Sequence, residues 1–179
     1  MTSSIKKNNK YILKSIISEK LNNKEIKEIC LLKDKQWKFG IKSQLKWFKK
    51  NIEKYDLHNL FYIKSKLVGY TLLRKRTFEI NNLDKNNKYL LFDTLVIDKK
   101  YREMKLSNLL MSFNNIIIIQ SGFFSFLVCE DKLVNFYKKN NWKKLNKRLF
   151  KIKDYPFSLN GMIFNKSNLY KKCFFYINK

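Results

Sequence analysis

The feature that most constrains this chain is the run Tyr89–Ile97, nearly continuous in apolar residues with only Asp93 and Thr94 inside it. A half-buried strand alternates apolar and polar residues, whereas an unbroken apolar run reads as a central strand covered on both faces. A charged turn follows at once, and then Leu106, Leu109, Leu110, Phe113 and Ile117 fall on one face of a helix. Gly122 is placed to stop that helix, Phe123–Val128 reads as a second buried strand, and Asp131 opens a short helix carrying Leu133, Phe136 and Tyr137. Strand, helix, strand, helix in this order predicts a sheet with helices packed against it.

The rest of the chain fits the same frame. Tyr11–Ile17 is rich in β-branched and aromatic residues and reads as a first strand. Ile26, Ile29, Cys30 and Trp37, then Ile41, Leu45, Phe48 and Ile52, predict two amphipathic helices between about Lys24 and Glu53, broken near Gly40. Leu60–Ile63 and Leu67–Leu73 form a hairpin pattern around Lys64-Ser65-Lys66, and Asn81–Lys88 is a polar connection. Trp142–Ile152, Gly161–Phe164 and Cys173–Ile177 read as later strands. The expectation is one α/β domain over residues 1–179, a mixed central sheet of about six to seven strands flanked by about four helices.

Composition narrows the function classes. Lys and Arg number 39 against 14 Asp and Glu, a formal charge of +25, which is the usual mark of a nucleic-acid binder. Yet the chain has no alanine, one proline and four glycines, and abounds in Lys, Asn, Ile, Phe and Tyr. That bias follows AT-rich codons, and the lysines are scattered along the chain with no single basic block. Nucleic-acid binding is therefore expected to be weak and unspecific, with a basic nucleic-acid-binding module as the rival reading. Cys30, Cys129 and Cys173 lie far apart and His58 is the single histidine, so no metal-ligand spacing occurs and no metal is expected. Residues 1–10 lack an apolar leader pattern, and apolar runs such as Ile116–Ile119 are far short of the roughly 20 residues of a membrane span. The expectation is a cytoplasmic chain with no membrane span, and a homodimer is compatible with it.

The chemistry concentrates after the central strand. A strand that runs through a tight turn into a helix presents free backbone N–H groups and the positive end of the helix dipole, which bind phosphate. Arg102 and Lys105 add charge there. On physics alone, a plain crossover is an equal reading.

Two segments shift that balance. Ile97-Asp98-Lys99-Lys100-Tyr101-Arg102-Glu103-Met104-Lys105-Leu106-Ser107 resembles the turn after the central strand of the GNAT superfamily of acyl-CoA N-acetyltransferases, and Phe136-Tyr137-Lys138-Lys139-Asn140-Asn141-Trp142 resembles that family's late helix. The resemblance covers about Leu67–Ile152. It implies acetyl-CoA as co-substrate, held by Val96, Ile97, Arg102, Glu103, Met104, Lys105, Leu106 and Ser107, with Asn135 and Lys138 from the later helix. It implies that the cofactor lies in a splay between the two buried strands, with a backbone N–H near Ile97 polarising the thioester carbonyl. Tyr137 matches the tyrosine that meets the departing sulfur, with a packed aromatic as the plainer reading.

The proton on the attacking amine needs an acceptor. Asp93 is the first candidate, a paired structural carboxylate its plainer reading; His58 is the second, and Glu130 or a water chain also serve. The helix pair after the first strand, with Trp37 and Gln44, resembles the acceptor wall of members acting on nucleotide-linked amino sugars, though Trp37 and Trp47 also suit a core. The expected function is transfer of an acetyl group to a primary amine of a small molecule by direct attack. The pattern also departs from the family. Glu103, Lys105 and Ser107 stand at glycine-type positions, Glu130 at an asparagine and Asn141 at a late glycine. A non-catalytic acyl-CoA binder is the corresponding alternative.

Overall fold

The computed structural model describes residues 11–81, 87–153, 159–167 and 169–177. The elements run β1 (Tyr11–Ile17), α1 (Asn23–Trp37), α2 (Ile41–Asn51), β2 (Leu57–Ile63), β3 (Lys66–Ile80), β4 (Asn87–Ile97), α3 (Leu106–Gln120), β5 (Ser125–Cys129), α4 (Asp131–Lys139), β6 (Lys143–Lys144), β7 (Phe150–Ile152), β8 (Asn160–Phe164) and β9 (Cys173–Phe175). Short 3-10 turns occupy Ser18–Lys20, Lys99–Met104 and Lys147–Leu149.

Among the described residues nine strands join one mixed sheet, in the order β1-β2-β3-β4-β5-β8-β6, with β9 on the far end of β3 and β7 beside β9. The β4–β5 and β7–β9 pairs are parallel and the others antiparallel. The mixed sheet and the four α-helices are as the sequence predicts. Nine strands exceed the six to seven expected, and one of the additions arises where β6 and β7 replace the single strand expected over Trp142–Ile152. Trp142 is drawn into the core, donating Nε1–H to Asn115 Oδ1 at 3.0 Å, and the Asn146 side chain accepts from the Arg148 N–H at 3.0 Å, turning the chain between the two short strands. β3 also outruns its expected end at Leu73, because its last residues pair with β9. Of the polar connection Asn81–Lys88, residues 82–86 lie outside the described residues and Asn87 already belongs to β4.

Local chemistry sets the boundaries. Asn22 caps α1 with a reciprocal pair: the Glu25 N–H donates to Asn22 Oδ1 at 2.9 Å, and the Asn22 N–H to Glu25 Oε2 at 3.1 Å. Lys38 closes α1 in the left-handed conformation, and Gly40, with φ 84°, starts α2. Lys64 and Ser65 both take positive φ in the tight β2–β3 turn. Gly122, with φ 73°, ends α3 as the sequence predicts. Among the described residues, no helix is long and apolar enough to cross a membrane.

The sheet is covered on both faces. On one side α3 and α4 pack on Leu73, Leu90, Phe92, Leu127 and Met162. On the other, α1 and α2 pack on Leu60, Leu67, Tyr70, Leu72 and Val96. Gly69 brings α3 down onto β3: a Cβ there would sit 2.7 Å from Ile97 Cδ1 and 3.1 Å from Leu110 Cδ2.

Candidate active site

The site begins with a slip in the central strand. In the β3–β4 pairing Leu72 faces Thr94 and Leu73 faces Phe92, so Asp93 is an extra residue, a β-bulge. The slip changes which side chains share a face. Leu90 and Phe92 point to the α3–α4 side, and so do Leu95 and Ile97, while Thr94 and Val96 turn to the α1–α2 side with Asp93. Asp93 counts as exposed although its side chain is only 21% exposed, which places the exposure on its main chain.

β4 then leaves its parallel neighbour. The two strands pair only at Leu90–Ser125 and Leu91–Phe126. Beyond this, β5 keeps β8 on its other side but has no partner toward β4. Asp98 donates its N–H to Val68 O at 2.7 Å, so by strand alternation Thr94 and Val96 face β3, while the N–H and C=O of Leu95 and Ile97 face the gap. Consistent with this, Ile97 O accepts from Arg102 Nε at 3.4 Å and not from β3. The result is a cleft walled by two unpaired strand edges, able to hydrogen-bond an extended chain that carries amide groups.

At the end of β4 the chain turns through Lys99–Met104 into α3. Asp98 caps the turn, accepting from the Lys100 N–H at 3.2 Å and from Lys35 Nζ at 2.9 Å. Burial alone would raise its carboxyl, but these donors hold it below the ordinary value. Lys105 takes φ 54° and ψ 21°, the left-handed conformation that favours glycine, and no side chain caps α3 behind it. The first N–H groups of α3 are thus presented at the mouth of the cleft. Arg102 and Lys105 are exposed beside them, Glu103 and Met104 also face solvent, Ser107 is half-buried, and Leu106 is buried in the core. Arg102 also hydrogen-bonds Gln36 Oε1 on α1.

Tyr137 comes from α4 on the opposite wall. Its ring packs against Phe92, with centroids 6.2 Å apart, and against Trp142 and Phe136. It is thereby anchored on the residue that precedes the bulge. The ring is buried, but the hydroxyl makes no hydrogen bond among the described residues and is not sealed from solvent. Burial pushes the phenol well above its ordinary pKa, with the neighbouring Cys129 adding to the shift. Asn135 and Lys138 lie on the exposed surface of the same helix.

On the α1–α2 side the bulge floors a pocket of about 440 Å³, lined by Lys33, Trp37, Gln44, Trp47, Asp93 and Thr94, with Phe39 and Ser43 at its edge. Trp37 and Trp47 therefore both line a cavity; Trp37 is exposed, while Trp47 also packs against the core beneath α1 and α2. One Asp93 oxygen accepts from Arg74 Nη1 at 2.6 Å, and the other makes no hydrogen bond among the described residues. Sequence reasoning missed Lys33 and Arg74. Arg74 Nη2 and Arg76 Nη2 both donate to Asn51 O at the C-terminus of α2, each at 3.1 Å, and Arg76 Nη1 lies 3.3 Å from the buried Asp56.

His58 is placed differently from Asp93. It is fully buried under α2, with Nε2 2.8 Å from Ser18 Oγ and Nδ1 2.8 Å from Tyr70 Oη, stacked between Phe48 and Tyr70. Burial, helped by the charge on Lys33, pushes its pKa down to about 3. The structure therefore does not bring His58 into the pocket as a free base. Glu130 is exposed and pairs with Lys132. Among the described residues, no group of three or more His, Cys, Asp or Glu is placed to hold a metal ion.

No protein-family model matches the sequence, and no curated protein matches it. Solved structures match in fold. An acyl-CoA N-acyltransferase from Pseudomonas aeruginosa superposes with a TM-score of 0.63 at 13% identity, over 87% of this chain and 99% of that one. Escherichia coli ElaA gives 0.60 at 14% identity, over 87% and 99%. The Escherichia coli GNAT family N-acetyltransferase YhbS, solved in complex with CoA, gives 0.60 at 12% identity, over 87% and 81%. At these identities the likeness is one of fold, and that fold is the GNAT fold.

Proposed function

We propose that the chain is an acetyl-CoA-dependent N-acetyltransferase acting on the primary amine of a small molecule. The observation that carries this reading is the cleft between β4 and β5, which opens at the Asp93 bulge and meets Tyr137 on one side and the aromatic pocket on the other. The Arg102–Ser107 turn and the start of α3 would hold the pyrophosphate, and the unpaired edges of β4 and β5 the amide-bearing arm. The CoA complex of the YhbS fold neighbour supports this cofactor. Lys105 takes the left-handed conformation that glycine most readily adopts, which supports a working turn over a silent one.

In this reading the amine enters from the α1–α2 pocket and attacks the thioester carbonyl carbon. A backbone N–H of β4 turned to the gap stabilises the oxyanion. The C–N bond forms, the C–S bond breaks, and the sulfur leaves as thiolate toward the Tyr137 hydroxyl. The amine proton passes to the free oxygen of Asp93 or to water. The thiolate takes a hydrogen bond from Tyr137 and is finally protonated from solvent. Among amines, a nucleotide-linked amino sugar suits the aromatic lining of Trp37 and Trp47, which supports the acceptor class that the family resemblance suggests.

Two measurements test the reading. Acetyl-CoA at millimolar concentration should raise Tm by mass action. Thiol release from acetyl-CoA should then depend on an added amine. A folded sample with no thermal shift refutes the cofactor assignment. A thermal shift with no thiol release over amino sugars, amino acids and polyamines leaves a non-catalytic acyl-CoA binder.

A further inference from the structure

The acceptor pocket contains a charge that the reaction does not account for. Lys33, on the inner face of α1, is buried to 7% exposure, and its Nζ lies 3.6 Å above the Trp47 ring. Among the described residues no carboxylate pairs with it. The one acid in the pocket, Asp93, is taken by Arg74, itself buried and 5.7 Å from the same ring. Lys33, Arg74 and Asp93 together therefore leave one positive charge uncompensated beneath the aromatic walls. A second group points the same way: Gln44 is 4% exposed, lines the same pocket, and its Nε2 donor has no partner. Gln44 Nε2, sealed from solvent with no acceptor, is costly unless a ligand supplies an oxygen, and Lys33, whose Nζ is not sealed, lines the same pocket with no carboxylate of its own.

Resting on the acetyltransferase reading, we propose that the acceptor amine carries an anionic oxygen group, a carboxylate or a phosphate ester, that Lys33 and Gln44 bind while its amine faces Asp93. The pocket then works by opposite charges. The amine approaches the free Asp93 oxygen at the bulge, and the anion neutralises Lys33 over Trp47. Burial pushes the Lys33 ammonium below its ordinary pKa, and an anion would restore it, so binding should draw a proton onto the protein when the acceptor is added near the Lys33 midpoint. Trp37 and Phe39 at the rim offer flat apolar faces to the rest of the molecule. A nucleotide-linked amino sugar supplies the anion as its diphosphate, and an amino acid supplies it as its carboxylate.

The test compares matched acceptors. One pair is an amino acid and its amide, the other a nucleotide-linked amino sugar and the free amino sugar. Thiol release should show kcat/KM about 10–100-fold higher for the anionic member of at least one pair, and the pair that responds identifies the anion. Lys33→Met, which keeps the stem volume, should erase the preference mainly through KM, while Lys33→Arg should keep much of it and the KM for acetyl-CoA should stay constant. Gln44→Met should weaken the preference in the same direction. Thermal shift with the same pairs in the presence of CoA reads the preference without turnover, and so separates failure of the anion site from failure of the acetyltransferase reading. Equal use of the charged and neutral members by the unmodified protein overturns the proposal. So does a Lys33→Met variant that retains the preference, or one that lowers kcat equally for both members with unchanged KM, because Lys33 would then be acting on the reaction's proton and not on an anion.

Discussion

Replacing Tyr137 with phenylalanine isolates a single hydroxyl in a setting that makes the outcome informative. The ring is held by Phe92, Phe136 and Trp142, and phenylalanine keeps all three contacts. The hydroxyl has no partner among the described residues, so its removal strands no buried group. Stability should therefore change by less than about 0.5 kcal/mol. The catalytic effect depends on whether Tyr137 transfers a proton or only donates a hydrogen bond. Ordinary phenol and thiol pKa values of about 10 and 8.5 already make transfer to the thiolate uphill by about 2 kcal/mol, and burial pushes the Tyr137 phenol further up. A hydrogen bond to the departing sulfur is the role that remains. Hydrogen bonds to charged partners contribute about 1.5–3 kcal/mol, so Tyr137→Phe should slow the chemical step about 10- to 150-fold, short of the upper range of general-acid losses. The assay is single-turnover acetyl transfer at saturating acetyl-CoA, beside Tm and the KM for acetyl-CoA, both of which should hold. An unchanged single-turnover rate would falsify the role and leave Tyr137 as a core aromatic.

Other expectations follow from single residues. The depressed pKa of His58 means that below about pH 6.5 the unfolded chain takes up a proton that the folded chain refuses; stability is then complete above that pH and declines toward about pH 3, losing about 2 kcal/mol from pH 6.5 to 5. Denaturant titration at several pH values should show that slope and should lose most of it in His58→Gln. The left-handed Lys105 predicts that Lys105→Gly is neutral or stabilising by up to about 1 kcal/mol and that Lys105→Val costs about 1–2 kcal/mol, measured by the same titration; equal stability of the two variants would remove the backbone argument. With its charge spread over the surface, the chain should bind DNA and RNA weakly, without sequence preference, and lose that binding between 50 and 200 mM salt. Tight sequence-selective binding at physiological salt would instead favour the nucleic-acid reading.

The sequence made most of the layers legible because their signals are local. The apolar run of β4, the helical spacing of α1 to α4 and the Gly122 stop depend on a few neighbouring residues each. The bulge at Asp93 was not legible, for a physical reason. A register slip shows in sequence as a break in alternation, and Leu90 to Ile97 is apolar on both faces apart from the adjacent pair Asp93 and Thr94, so there is no alternation for that pair to break. Trp142–Ile152 failed differently: β-type residues suggested one strand, but the large indole and the Asn146 turn chemistry won over propensity. Among the site residues, Trp37 and Gln44, proposed together as an acceptor wall, meet Asp93, proposed separately as a base, in one pocket. Lys33 stayed hidden because one buried lysine looks like any other in a chain with 39 basic residues.

The turn after β4 takes a left-handed residue at the start of α3 without a glycine there. What phosphate requires of a helix start is backbone geometry and free N–H groups, and Lys105 keeps the left-handed φ at a cost of about 1 kcal/mol while adding charge of the useful sign. The pocket is more demanding, because its groups must be fixed before a ligand arrives. Arg74 and Arg76 do this together. Both donate to Asn51 O, where the negative end of the α2 dipole gathers, and each also pairs with an acid, Asp93 or Asp56. One network thus ties α2, which carries Gln44 and Trp47, to the bulge that carries Asp93. Drift toward lysine can proceed on the surface with little effect, but at this network a lysine could not replace either arginine: its single ammonium cannot bond a carboxylate and a helix-end carbonyl in the same fixed fork.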